Sequence, residues 1–300
     1  MDSNGRNATL ATANQDLLAA DTAMGPVTLS VADLDTMTAY YRDGTALDVL
    51  SEGPGTVTLG RGSTPVVILQ HAPELTYASR SEAGLFHTAI LYDTKEALAA
   101  AVYSVATNYP GTFTGSSDHL VSNAFYFNDP EGNGVELYWD RERSAWSWIH
   151  GSVEMATIFL DPNKFLQENL TEQAAAEPRV GEARIGHIHL QVGDIPSARD
   201  FYVDKLGFEQ TLAYGPQALF VSAGGYHHHM AMNTWNSAGA AKRKPTLGLG
   251  QVQIDVPGAD DLGELAERMR HYGFQTRDDG RELAFDDPWN NAIRVKAAGA

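Results

Sequence analysis

The sequence predicts an α+β protein assembled from four βαβββ modules, and two internal repeats carry that prediction. Gly25-Pro26-Val27-Thr28-Leu29-Ser30-Val31-Ala32-Asp33-Leu34, followed by Tyr40-Tyr41-Arg42-Asp43, returns as Gly186-His187-Ile188-His189-Leu190-Gln191-Val192-Gly193-Asp194-Ile195 with Phe201-Tyr202-Val203-Asp204. Both copies read as an alternating strand and then a short amphipathic helix. A second unit also occurs twice. Gly84-Leu85-Phe86-His87 leads into the helical run Thr94 to Tyr103 and ends at Glu136, while Gly248-Leu249-Gly250-Gln251 leads into Asp260 to Tyr272 and ends at Arg294.

Modules one and two fill residues 23–141, a first domain, and modules three and four fill 183–300, a second. Residues 142–182 between them, Ala- and Glu-rich in their second half, read as a linker that packs a short helix. Residues 1–22 are expected to form a disordered tail. They have neither a basic start nor a continuous apolar core, so they do not read as a secretory signal, and the protein is expected to be cytoplasmic.

Composition excludes whole classes of function. The chain has 300 residues, 43% of them hydrophobic, enough to fill two ordinary domain cores. A formal charge of −17 argues against nucleic acid and anionic membranes as partners. No segment approaches the roughly 18 uninterrupted apolar residues of a membrane span. The absence of cysteine removes disulfides, thiolate metal sites, iron–sulfur clusters and Cys nucleophiles, so any metal must sit on His, Asp or Glu. Neither a Gly-rich phosphate loop before a helix nor a Gly-x-Ser-x-Gly nucleophile elbow occurs.

The densest motif lies between Asp118 and Glu136. His119, Tyr126 and Glu136 flank the turn Asp129-Pro130-Glu131-Gly132-Asn133, so Tyr126 comes before a hairpin and Glu136 just after it. This pattern resembles the signature of type I extradiol ring-cleavage dioxygenases in the vicinal oxygen chelate (glyoxalase/bleomycin resistance/extradiol dioxygenase) superfamily. It departs from that signature at Ser117, two residues before His119. The resemblance covers nearly the whole chain apart from tail and linker and is strongest to the two-domain catechol-2,3-dioxygenase group. It implies two glyoxalase/extradiol-dioxygenase-like domains with cupped mixed sheets.

In that superfamily the metal ligands come from the first strand of one module and from the first and last strands of its partner. The equivalent positions here are Pro26 in module one, His87 and Glu136 in module two, His187 in module three, and Gln251 and Arg294 in module four. Modules paired in chain order leave neither site complete. Pairing two with three and one with four collects His87, Glu136 and His187 in one cup and Pro26, Gln251 and Arg294 in the other. The second arrangement is what fusing two subunits of a module-swapped dimer would produce, and it is the pairing expected here. Two histidines and a carboxylate suit non-haem Fe(II), and Mn(II) would also fit.

The resemblance further implies that Tyr126 stabilises the deprotonated substrate oxygen and that His119 lines the pocket. A His in module three would be the acid–base residue moving a proton from substrate to dioxygen. Among His227, His228 and His229 the His-x-x-Ala-hydrophobic pattern points to His228. Strand alternation would put its two neighbours on the opposite face, but the sequence leaves the three unresolved. His189, two residues after His187, would face the same side. His71, His150 and His271 have no motif support, Trp146-Ser147-Trp148 reads as an anchor of the linker, and Lys242-Arg243-Lys244 reads as a solvated loop.

The function so implied is extradiol (meta) cleavage of a catechol-type aromatic diol by O2 at Fe(II), within aromatic compound catabolism. Two alternatives stand beside it. A glyoxalase-like metal-dependent lyase or isomerase would need the ligand trio but not Tyr126, His119 and His228 together. A non-catalytic small-molecule binder of this fold would tolerate eroded ligand positions in both cups. Exposed sheet edges leave room for a homodimer.

Overall fold

The computed structural model describes residues 17–298, which form two nine-stranded mixed sheets with few helices. The first strands of modules two and three, Gly84–Tyr92 and Ala183–Gln191, run antiparallel at the centre of one sheet, with His87 opposite His189. Next to Gly84–Tyr92 lies its own last strand, Gly134–Asp140, in parallel, followed by Ser122–Asn128 and Phe113–Asp118. On the other side come Met230–Asn233, again parallel, then Ala218–Ser222 and Glu209–Tyr214. The second sheet repeats this plan around Val27–Val31 and Gly248–Val256, from modules one and four. Each sheet therefore takes one module from either half of the chain. Every first strand gains a partner on both sides and no apolar edge is left at the middle of the fold.

The two sheets are also tied to each other, within each half of the chain. The short helix Leu34–Ala39 runs on into a wider, π-type turn, Tyr40–Gly44, and Ile195–Arg199 does the same through Asp200–Lys205. In each turn the second aromatic of the repeated pair reaches a hairpin of the following module. Tyr41 donates to Asp129 Oδ2 (3.1 Å) and Tyr202 to Asp287 Oδ2 (2.9 Å). Asp129 Oδ1 also accepts from the backbone N–H groups of Glu131 and Asn133, and Asp287 Oδ1 from those of Trp289 and Asn291. Burial raises the Asp129 carboxyl to about 6 against these hydrogen bonds, which pull it down. Module pairs adjacent in sequence are thus clamped by helix and turn, while their sheets join modules from opposite halves.

The helix Lys95–Asn108 begins where Thr94 accepts from the Ala97 N–H (3.0 Å) and buries Ala97, Leu98, Ala101, Val102 and Val105. It outruns the expected end at Tyr103 because Val105 is still a core residue, whereas Tyr103 faces outward. Ala259–His271 buries Leu262, Leu265, Ala266 and Met269, the i, i+3, i+4, i+7 stripe of a helix lying on a sheet. Side chains from both sheets and these helices form one continuous apolar cluster.

The segment expected as a linker holds more structure than the one short helix foreseen. It carries two helices, Pro162–Asn169 and Glu172–Ala176, a small hairpin, Trp148–Ile149 with Ser152–Val153, and a strand, Ile158–Phe159, that extends the first sheet beside Phe113–Asp118. Of the Trp146-Ser147-Trp148 stretch expected to anchor the linker, Trp146 is buried against Val121, Val153 and Tyr226, whereas Trp148 is exposed. Of the tail expected to be disordered, residues 1–16 lie outside the described residues. Its end is packed instead: Leu18 is buried and its N–H donates to the Gly207 carbonyl (2.8 Å). Arg243 does not belong to a solvated run. Its guanidinium donates to Leu249 O, Thr246 Oγ1 and Asn291 Oδ1, stitching the loop to module four, and only Lys242 and Lys244 are exposed. Among the described residues no helix is long and apolar enough to cross a membrane.

Candidate metal centre

Strand periodicity puts Glu136, Tyr138 and Asp140 on one face of Gly134–Asp140. His87 lies on the adjacent parallel strand and His187 on the strand beyond it. The ladder shifts register between Ile185 and His187, and Gly186 sits at that irregularity. A Cβ at Gly186 would overlap the Tyr138 hydroxyl oxygen, so glycine there lets the tyrosine lie against the strand. The result is a buried trio. Glu136 Oε2 stands 3.0 Å from His87 Nε2 and 3.2 Å from His187 Nε2, and one donor atom from each of the three lies within 4.8 Å of the others.

Burial alone would raise the Glu136 carboxyl, yet His187 and His87 outweigh it and hold the group well below the usual carboxylate range. Burial holds the His187 imidazole below its usual value. The trio therefore presents an ionised carboxylate with imidazole nitrogens aimed at one point. His87 Nε2 makes no well-formed hydrogen bond there although it is buried. A divalent cation fits this donor set: it would satisfy the orphaned nitrogen and balance the buried carboxylate. Among the described residues no second such cluster occurs. In the other sheet Arg294 faces Glu282 (3.5 Å) beside Gln251, so the equivalent cup carries an ion pair and no ligand set.

A cavity of about 90 Å3 opens on the trio, and His119, Tyr126, His189 and His228 also line it, with Met155, Tyr214 and Phe220. It adjoins a larger one of about 440 Å3 that shares His87 and Tyr126 and is lined by Phe86, Asn128, Gln191 and Arg80. Tyr126 lies directly opposite Glu136 in the hairpin ladder. Its oxygen is 2.7 Å from His119 Nε2, while His119 Nδ1 is 2.7 Å from the Ala156 carbonyl. A carbonyl can only accept, so in neutral His119 the proton is on Nδ1 and Tyr126 donates to Nε2. Burial, then the charge of Glu136, raises the Tyr126 phenol well above its usual value. Ser117, the departure from the motif, is buried and donates to Ile158 O, holding the linker strand against the site.

Of the three consecutive histidines only His228 lines this cavity, and they do not lie on a strand. They precede the strand Met230–Asn233, in a stretch that follows Gly224 and Gly225, both at positive φ (61° and 68°). His228 turns into the cavity, its ring 4.1 Å from that of His187, and burial holds it well below the usual imidazole value. His227 turns to Asp140, and His229 accepts the Ala223 N–H on Nδ1 (3.1 Å). His189 packs on His87 (4.9 Å) and meets Asn233. His71, His150 and His271 lie away from the site. The sequence reading did not single out Tyr138 or Asp140, although the period of two from Glu136 already put both on its face, and it named His227 only as one of three candidates for the acid–base position.

Comparison with known proteins agrees with this architecture. The family model described as the Glyoxalase/Bleomycin resistance protein/Dioxygenase superfamily matches residues 23–137 and again 184–295. A catechol-2,3-dioxygenase of Bacillus subtilis (strain 168) is 35% identical over 278 residues, covering 91% of this chain and 96% of that protein. Among solved structures, a Bacillus subtilis protein described as a candidate dioxygenase superposes with a TM-score of 0.64 at 13% identity, covering 93% of this chain and 86% of that one. Glyoxalase I of Zea mays gives 0.54 at 14% identity, covering 92% of each chain. These two likenesses concern the fold alone. With two copies of the family's fold, and a full-length relative at that level of identity, the chain belongs to the glyoxalase/bleomycin resistance protein/dioxygenase superfamily.

Proposed function

We propose that this protein is an extradiol dioxygenase, cleaving the ring of a catechol-type diol with O2 at a non-haem Fe(II) held by His87, Glu136 and His187. The observation that carries the reading is the meeting of that trio with Tyr126, His119 and His228 around one cavity. The catechol-2,3-dioxygenase relative supports the same reaction class. Two histidines and one carboxylate leave coordination positions open, as non-haem Fe(II) oxygenases require, and Mn(II) would fit the same donors. Bound iron would supply chelation of the diol and the one-electron chemistry through which ground-state O2 reacts.

The chain's own groups orient the substrate and manage its protons. Tyr126, donating to His119, turns an oxygen lone pair toward the cavity, an acceptor for a diol hydroxyl. His119 Nε2 is placed to take the proton that Tyr126 passes on, after which Tyr126 can donate to the ionised substrate oxygen. His228, held neutral by burial, stands on the opposite side of the cavity and moves a proton between substrate and dioxygen. Phe86, Phe220 and Met155 keep the surroundings apolar, so the ring is held in place and water is kept out.

The test is anaerobic loading with Fe(II), followed by oxygen uptake with catechol and substituted catechols beside Glu136→Ala. Stoichiometric uptake with a yellow ring-opened product, abolished in the variant, is the expected result. Iron binding without oxygen uptake on any diol would favour a glyoxalase-like lyase or isomerase, and no metal binding would favour a binding protein.

A further inference from the structure

Behind His228 lies a hydrogen-bonded chain that the ligand trio does not use. His228 Nδ1 is 2.7 Å from His227 Nδ1, and His227 Nε2 is 2.9 Å from Asp140 Oδ1. Asp140 is itself fixed: its other oxygen accepts from Tyr226 (2.7 Å), whose oxygen meets that of Tyr138 (2.8 Å). The His227 backbone carbonyl accepts from Thr211 Oγ1 (2.6 Å), and its ring lies against Tyr226 (4.1 Å) and Trp146 (5.2 Å), leaving it 1% exposed. The chain is therefore contributed by the metal-bearing strand, by the loop of module three and by the linker.

Hydrogen-bond inventory fixes the direction of this chain. An ionised carboxylate only accepts, so His227 carries its proton on Nε2. The Nδ1 of a neutral His227 is then bare, and the short Nδ1 to Nδ1 contact requires that His228 donate. That leaves His228 with its proton on Nδ1 and a lone pair on Nε2, the nitrogen remaining for the cavity. We propose that Asp140 and His227 are positioning residues that lock the orientation and tautomer of His228, presenting Nε2 to substrate as a proton acceptor. The arrangement has the logic of a carboxylate that sets the tautomer of a catalytic imidazole, here with a second imidazole interposed.

The kinetic arm of the test rests on the dioxygenase reading; the spectroscopic arm does not. Long-range 1H–15N spectra of full-length protein with 15N-labelled histidine and Zn(II) added should show His227 protonated on Nε2 alone and His228 on Nδ1 alone. In Asp140→Asn that pattern should be lost, because a carboxamide can donate to His227 Nε2 and reverse both tautomers. On the Fe(II) enzyme, Asp140→Asn and His227→Phe should lower kcat about tenfold or more, with KM for the diol within about threefold. His227→Gln, which still offers a donor and an acceptor, should retain more activity than His227→Phe. If the ring serves only to pack against Tyr226 and Trp146, the order reverses. The proposal is overturned by that reversed order, by kcat unchanged in Asp140→Asn, or by a wild-type spectrum with His228 protonated on Nε2 or His227 on both nitrogens. Wild-type protein inactive on every diol would sink the functional reading and leave the spectroscopic result to decide this one.

Discussion

Single atoms decide much of this site. The Tyr126 hydroxyl touches His119 but is not one of the three converging donors. Tyr126→Phe should therefore leave metal content unchanged by elemental analysis and lower kcat about a hundredfold, the range of a lost proton-transfer group. Equal loss of metal and activity would mean that the phenol holds the site together. Gly186 makes the opposite kind of contribution, since its lack of a side chain admits the Tyr138 oxygen. Gly186→Ala should cost about 1–3 kcal/mol in urea unfolding, the usual penalty of overpacking. Combining it with Tyr138→Phe should recover part of that loss, and strict additivity would show that the two atoms do not compete. Glu136 was legible from the motif and His87 and His187 from the repeat, because each occupies a position defined within its own module. The pairing of Asp140 with His227 was not, because it exists only once two distant segments meet.

Among the elements, the Asp-Pro hairpins deserve comparison because the chain contains two with the same hydrogen bonds and different duties. Removing a buried carboxylate that accepts several N–H groups leaves them unpaired, so Asp129→Ala and Asp287→Ala should each destabilise by about 2 kcal/mol or more. Only the first hairpin joins the strand of Tyr126 to the strand of Glu136. Asp129→Ala should therefore also weaken metal binding in calorimetric titration, while Asp287→Ala should not; an equal effect of both would show that the two sheets are mechanically coupled. The histidine triplet shows where local reasoning ran out. Alternation would separate His228 from its neighbours on a strand, but the three precede the strand Met230–Asn233, in an irregular stretch after the turn of Gly224 and Gly225. Where each ring points is set by its partners, Asp140 and His228 for His227 and the Ala223 N–H for His229.

Over the whole molecule, the buried histidines make acid the vulnerable side of stability. Burial lowers His229 to about 3 and holds His187, His189 and His228 below their usual value, so the folded state keeps neutral what the unfolded chain protonates near 6.5. Such groups contribute stability above the unfolded pKa and lose it as pH falls. For His229, at about 3, the loss is worth about 2 kcal/mol between pH 7 and pH 5. Asp129 acts in the opposite sense, since its raised value favours the folded state as pH falls from about 6 toward 4. Burial raises Asp287 and Asp255 in the same sense as Asp129, while Glu136, held low, sides with the four histidines; on that balance the urea midpoint of metal-free protein should drop on acidification from pH 7 to pH 5. His229→Asn, which keeps an acceptor for the Ala223 N–H, should reduce the slope, and an unchanged slope would exclude His229 as a contributor. A divalent metal that binds only the folded trio at about a hundred times its Kd should add about 2.7 kcal/mol at pH 7, and less at pH 5 where protons compete for the same nitrogens.

The sequence by itself determined the module, its fourfold repetition and the residue types at each ligand position, because a βαβββ unit is specified by local periodicity and by a turn whose chemistry is written in five residues. It also determined that any metal must rest on imidazole and carboxylate, since no thiol exists. Only the tertiary structure decided which modules share a sheet. That choice depends on strands far apart in the chain, Gly84–Tyr92 and Ala183–Gln191, finding the register that buries His87 and His187 beside one carboxylate. The packing of the linker against the site, and the chain of contacts from Asp140 through His227 to His228, follow from that pairing. Periodicity within a module cannot encode contacts between modules, so these were settled by packing.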